Sequence, residues 1–160
     1  MLSDSPTPNE TNKYRTISKI ADLGIYSRLE VRNHLAFIRK PIEGLETVDV
    51  GRQLSEWLRH QDLSSQFLQM EVNDELDEIL SQEYERDDIG DYLVITNIGI
   101  LFEPALQVNI RALLERHSDR KLIIVLSEGV VDKEGRKYYF LSPNDSYSID
   151  LNGLFYYSCN

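Results

Sequence analysis

Two apolar runs, Tyr92-Leu93-Val94-Ile95 and Leu122-Ile123-Ile124-Val125, anchor the hydrophobic pattern of this chain. Each is short, rich in β-branched residues and flanked by polar ones, which predicts buried strands. The segment from Asp91 to Leu106 reads as a strand, a sharp exit and the start of a helix. Pro104 fits a helix's first turn, and Asn109 restarts the helix with Ile110, Leu113 and Leu114 facing inward. His117 falls near its end, where a cation suits the helix dipole. Strand, helix and strand over about 35 residues make a βαβ unit with a right-handed crossover. Ligands in such folds bind beyond the carboxyl ends of the strands, which draws attention to the whole stretch from Asp91 to Leu106.

Upstream, residues 1–12 are polar with two prolines and predict a disordered tail ahead of a single α/β domain over 13–160. Ile17, Ile20, Ala21 and Leu23 share a helical face that ends near Gly24, and Ser27 can cap a second short helix. Together residues 17–35 resemble a helix-turn-helix with Arg28 and Arg32 on the second helix. Their spacing is one residue shorter than usual, and two short helices on a sheet edge is the simpler reading. Leu35 to Ile38 and Thr47 to Val50 are strand candidates separated by Pro41 and Gly44. Leu54, Trp57 and Leu58 predict a helix over Gln53–Arg59 with Trp57 in the core. A further helix is expected from Asn73, as N-cap, to about Tyr84, with Leu76, Ile79, Leu80 and Tyr84 as its apolar stripe. Downstream, Tyr138-Tyr139-Phe140-Leu141 and Leu154-Phe155-Tyr156-Tyr157 predict aromatic strands that complete the sheet as antiparallel edge strands or as a β-hairpin. Ser142–Asp145 and Asn152-Gly153 supply turns.

Charge sharpens this outline. The net charge of −10 is concentrated: residues 71–91 hold ten acids against one base, Arg86, whereas the remainder is nearly neutral. A solvated helix face explains such a run. A docking surface for a basic partner is the sharper alternative, with Glu78, Glu85, Asp87 and Asp88 as candidates. The C-terminal tyrosines, Tyr138 and Tyr156 among them, are candidate interface anchors. No basic stripe of the kind that neutralises phosphates is present, which leaves nucleic acid as an indirect partner at most. No apolar run reaches the ~20 residues that span a bilayer, and no signal-peptide core is visible. The one cysteine, Cys159, excludes an internal disulfide. These features predict a cytoplasmic protein.

Catalytic chemistry is hard to find. His34, His60 and His117 lack metal-ligand spacing, the acids of 71–91 do not converge for Mg²⁺, and Gly-x-Ser-x-Gly is absent. None of the eight glycines makes the Gly-x-x-x-x-Gly-Lys-Ser/Thr loop whose backbone N–H groups and lysine wrap phosphates. Gly129 and Gly135, with Arg136 and Lys137, come nearest, at the wrong spacing. No catalytic residue, metal or cofactor is expected.

One resemblance does emerge. The stretch from Tyr92 to Leu106 (Tyr-Leu-Val-Ile-Thr-Asn-Ile-Gly-Ile-Leu-Phe-Glu-Pro-Ala-Leu), with the later run from Arg111 to Val125, resembles the second half of BrxF. These are small P-loop-NTPase-fold components of BREX phage-defence systems. Val48 to Ser55 is similar to that family's segment after its P-loop helix, and the resemblance spans about residues 45–145. In the family pattern the strand ends Asp-Asn-Ile-Glu, where the aspartate supports Mg²⁺ and the acid orients water. Here Thr96 and Gly99 replace those acids, Asn97 alone is kept, and about eight residues stand where the phosphate loop and its helix belong.

The expected fold is therefore α/β: a degenerate P-loop-NTPase-like, mostly parallel sheet flanked by helices. The resemblance implies a non-catalytic accessory or adaptor in a prokaryotic antiphage defence complex, bound to protein partners such as a larger ATPase. The alternatives are an NTPase subunit completed by a partner chain, and a small DNA-binding regulator using residues 17–35.

Overall fold

Alternation decides the architecture. In the strand β1 (Leu35–Ile38), Leu35 and Phe37 join one buried cluster while Ala36 and Ile38 join another, on opposite faces of the same sheet. Such a strand is covered on both sides, as a parallel strand requires. The computed structural model describes residues 23, 24, 27, 30–140 and 147–158. After β1 come β2 (Thr47–Asp49), α1 (Val50–Leu58), α2 (Leu68–Leu80), β3 (Tyr84–Arg86) and β4 (Gly90–Thr96). Two 3₁₀ turns, Ile98–Phe102 and Pro104–Leu106, lead into α3 (Ile110–Ser118) and β5 (Leu122–Leu126). The chain then forms β6 (Val130–Val131), β7 (Lys137–Tyr139), β8 (Ser148–Asp150) and β9 (Tyr157–Ser158).

The main sheet runs β2-β4-β5-β1-β9 with every neighbouring pair parallel, and β3 pairs antiparallel with the start of β4. A separate antiparallel sheet runs β6-β7-β8. Right-handed crossovers put connections that step in opposite directions along a sheet on opposite faces. From β2 through β4 and β5 to β9 the chain steps one way. Residues of α1, α2, α3 and the small sheet accordingly share one cluster with Leu35, Phe37, Leu93, Ile95, Ile123 and Val125. The step from β1 back to β2 goes the other way, over two strands. Only residues 39–46 make it, without a helix, where a parallel crossover ordinarily takes a dozen residues or more. Ile42 and Leu45 of that connection, with Leu23, Val31 and Phe155, cover the second face over Ala36, Ile38, Val94 and Ile124.

Several sequence expectations need correction. Helix α1 starts at Val50 rather than Gln53, because Asp49 caps it, accepting from the Arg52 N–H at 2.8 Å. Helix α2 starts at Leu68 rather than Asn73, because the apolar stripe extends back through Val72 to Leu68. Asn73 lies inside the helix and donates to the Gln69 carbonyl instead of capping. Tyr84 has left the helix for β3. The aromatic strands do not complete the main sheet as antiparallel edges: β7 sits in the separate sheet, and β9 pairs parallel with β1. Arg32 lies in a bend, outside any helix. The tail over 1–12, the helix expected over most of 14–24, Arg28, the turn at 142–145 and Cys159 lie outside the described residues.

Two polar ties fix the helical layer. Lys121 is buried at the start of β5, and its Nζ donates to the carbonyls of Leu80 (2.5 Å) and Gln82 (2.7 Å), closing the end of α2. Asp77 of α2 accepts from Arg116 (2.7 Å) and lies 2.8 Å from Nε2 of His117 on α3. Burial lowers the pKa of His117 despite the opposing pull of Asp77. The folded chain therefore binds this proton less readily than the unfolded chain, whose histidine titrates near 6.5. Stability should fall as pH drops through about 6.5 and stop responding to this group below its folded pKa. Denaturant titrations between pH 7.5 and 5.5 check this. The slope should shrink in His117→Gln.

Candidate functional site

The carboxyl ends of the parallel strands bring together the positions the sequence singled out. The β2–β4 register sets Asp49 beside Thr96, and Asn97 follows directly. Asn97 adopts the left-handed conformation (φ 55°), which Asn tolerates better than most residues. That geometry lets its Nδ2 donate to Oδ1 of Asp49 at 2.8 Å. One carboxylate oxygen thus serves the first turn of α1 and the exit from β4 at once. The Arg52 backbone bond first, and the Asn97 bond next, hold the Asp49 carboxyl below its usual pKa. Gly51 lies under this bridge: a Cβ there would stand 2.5 Å from Asn97 Nδ2 and 2.6 Å from its carbonyl oxygen. Only a glycine admits so close an approach.

The neighbouring groups are equally committed to structure. Thr96 Oγ1 lies 3.4 Å from the Val48 carbonyl, across the β2–β4 pair. Gly99 is in the 3₁₀ turn after β4, where a Cβ would crowd the Phe140 ring at 3.2 Å. Phe140 in turn stacks on Phe102, with ring centroids 5.1 Å apart. Thr96, Asn97 and Gly99 therefore provide a hydroxyl, an amide and backbone, with Asp49 the one carboxylate. Among the described residues, no group of three or more His, Cys, Asp or Glu side chains is placed to hold a metal ion. The arrangement can join strand ends to a helix start. It offers no paired acids for hydrolysis.

The partner-binding candidates divide. Glu78, Glu85, Asp87 and Asp88 are exposed, on the end of α2, on β3 and in the β3–β4 turn. Asp88 pairs with Arg86 (3.2 Å), which also donates to the Gly44 carbonyl and so ties the hairpin to the β1–β2 connection. Glu85 stands directly opposite Asp91 in the β3–β4 register, a like-charge pair that weakens the hairpin. Tyr138 and Tyr156, by contrast, cannot anchor a partner. Both are fully buried, Tyr138 stacked on Phe37 (4.6 Å) and Tyr156 edge-on to it (5.8 Å). The Tyr156 hydroxyl donates to the Gly135 carbonyl at 2.6 Å, and burial raises its pKa. Among the described residues, the C-terminal aromatic that is exposed is Tyr147.

Sequence reasoning passed over two features. Asp49 carries a signal that was readable, since an acid ahead of a helix-compatible run is an N-cap signature. Leu63, Phe67 and Met70 are apolar yet 65%, 54% and 58% exposed. No periodicity separates them from core residues. No helix of the described residues is long and apolar enough to cross a membrane. No protein-family model, curated protein or solved structure matches this chain.

Proposed function

We propose that this chain is a degenerate P-loop-NTPase-like domain that acts as an accessory or adaptor protein in a prokaryotic antiphage defence complex, through protein–protein contacts. The defence role comes from the BrxF resemblance. The loss of nucleotide chemistry is supported from the residues themselves. The single observation that carries it is the eight-residue connection 39–46 between β1 and β2, which leaves no room for a phosphate-wrapping loop and its helix. The strand ends agree with it. Where the resemblance implies metal-supporting and water-orienting acids, this chain has Thr96 and Gly99, and Asn97 is spent on bridging Asp49. A scaffold that keeps the strand-end junction and lacks both halves of the phosphate site is suited to binding macromolecules rather than turning over nucleotide.

Co-purification of the tagged chain with the products of its neighbouring genes tests the role. A stable, stoichiometric complex with a large ATPase or a methyltransferase is the expected result. Recovery of the chain alone, from cells that express those neighbours, would refute the adaptor reading.

A further inference from the structure

The outward face of α2 is built in two halves. Its inward face buries Val72, Leu76, Ile79 and Leu80 and packs the half-buried Leu68 against the core. Phe67, Met70, Asp74 and Glu78 recur at spacings of three and four, so they line the opposite face. Leu63 precedes them on the wound connection, where Ser65 N–H bonds to the Asp62 carbonyl and Leu68 N–H to the Ser65 carbonyl. Leu63, Phe67 and Met70 are each more than half exposed, while Asp74 and Glu78 are exposed acids farther along. Isolated apolar residues on a surface are ordinary, but Phe67 and Met70 stand about one turn apart at the start of α2, with exposed Leu63 on the turn just before them, and make an exposed apolar patch.

Charge identifies the occupant. From Gln61 to Glu85 there is no lysine or arginine, and eight acids: Asp62, Glu71, Asp74, Glu75, Asp77, Glu78, Glu83 and Glu85, of which Asp77 is already paired with Arg116 and His117 of α3. In the β3–β4 hairpin that follows α2, Glu85 stands opposite Asp91, which extends the acidic run beyond the helix. The 13 residues of α2 rise about 20 Å, the length of a comparable helix laid alongside. We infer that this face docks a basic amphipathic helix of a protein partner, its apolar residues on Leu63, Phe67 and Met70 and its Lys or Arg residues on Asp74 and Glu78. The inference rests on the adaptor reading and names its surface.

The test uses the full chain and a fluorescein-labelled, 18-residue helical peptide with leucine on one face and lysine on the other, read by anisotropy. Saturable binding is expected. It should weaken at least tenfold in Phe67→Ser/Met70→Ser and severalfold in Asp74→Asn/Glu78→Gln, with a shallower salt dependence in the latter. Both pairs are solvent-exposed, so an unchanged melting temperature verifies the fold, and each single variant serves if a pair is unstable. The peptide with glutamate in place of lysine should not bind. Unchanged binding to Phe67→Ser/Met70→Ser would reduce the interaction to general charge attraction and overturn the site. Equal binding of the acidic peptide would overturn the charge assignment. A dimer dissociated by the apolar substitutions would make a second copy the occupant, and so contradict a foreign helix. Repeating the co-purification with Phe67→Ser/Met70→Ser separates the two claims. A complex that survives leaves the adaptor reading intact and removes this face from it. Correct peptide binding with no native complex keeps the face and removes the defence role.

Discussion

Phe37→Ala should destabilise the fold by about 3–5 kcal/mol, the range for removing a buried aromatic side chain. Phe37 is 3% exposed, on a strand flanked by β5 and β9, and its ring meets Tyr138 from the small sheet and Tyr156 from the approach to β9. These contacts connect the two sheets, so the truncation leaves a cavity at their junction. A loss of that size is a large share of a domain's total stability. Denaturant unfolding should show the fall in midpoint, and near-ultraviolet dichroism should show loosened tyrosine packing in the native state. Phe37→Leu keeps most of the volume and should cost under about 1.5 kcal/mol. Phe67→Ala, at an exposed position, should stay within about 0.5 kcal/mol of the wild type.

The second large effect is expected at Gly51. Alanine is the better helix former by about 1 kcal/mol, so propensity alone predicts a gain. The strand-end geometry reverses the sign. The new Cβ would meet both the side chain and the carbonyl oxygen of Asn97, and the carbonyl cannot rotate away. Separating α1 from the β4 exit lengthens the Asp49–Asn97 bond and strains the left-handed residue. Gly51→Ala should therefore cost about 1–3 kcal/mol, the usual penalty for overpacking. Asn97→Gly in the same chain relieves the side-chain clash and leaves the carbonyl clash, so it should recover only part of the loss. Thermal melts of the two single variants and the double variant measure that coupling.

How far the sequence reveals this molecule depends on the range of the interactions involved. The strands β1, β4 and β5 are legible because their own alternation and apolar runs specify them. So is α3, where Asn109 accepts from the Ala112 N–H as the cap and Ile110, Leu113 and Leu114 face the core. The start of α2 is misread because Asn73 and the acids after it imitate a helix start, while the true first residue, Leu68, follows a residue with no capping side chain. The parallel pairing of β9 with β1 joins residues more than a hundred positions apart, and nothing in Tyr157-Ser158 states its direction. The tyrosines show the same limit. Tyr138 and Tyr139 are adjacent and chemically alike, yet the pleat sends Tyr138 into the core and leaves Tyr139 partly exposed. At the candidate site, the positions were readable and their commitments were not. The bond from Asn97 to Asp49 spans 48 residues and depends on the β2–β4 register.

The proposal that this α/β domain lacks nucleotide chemistry is tested most directly by calorimetric titration of the purified chain with Mg-ATP, alongside phosphate release. No saturable heat is expected up to about 1 mM, a binding free energy weaker than about −4 kcal/mol, and no phosphate release above the buffer blank. Saturable binding with turnover, abolished by Asn97→Ala, would contradict it.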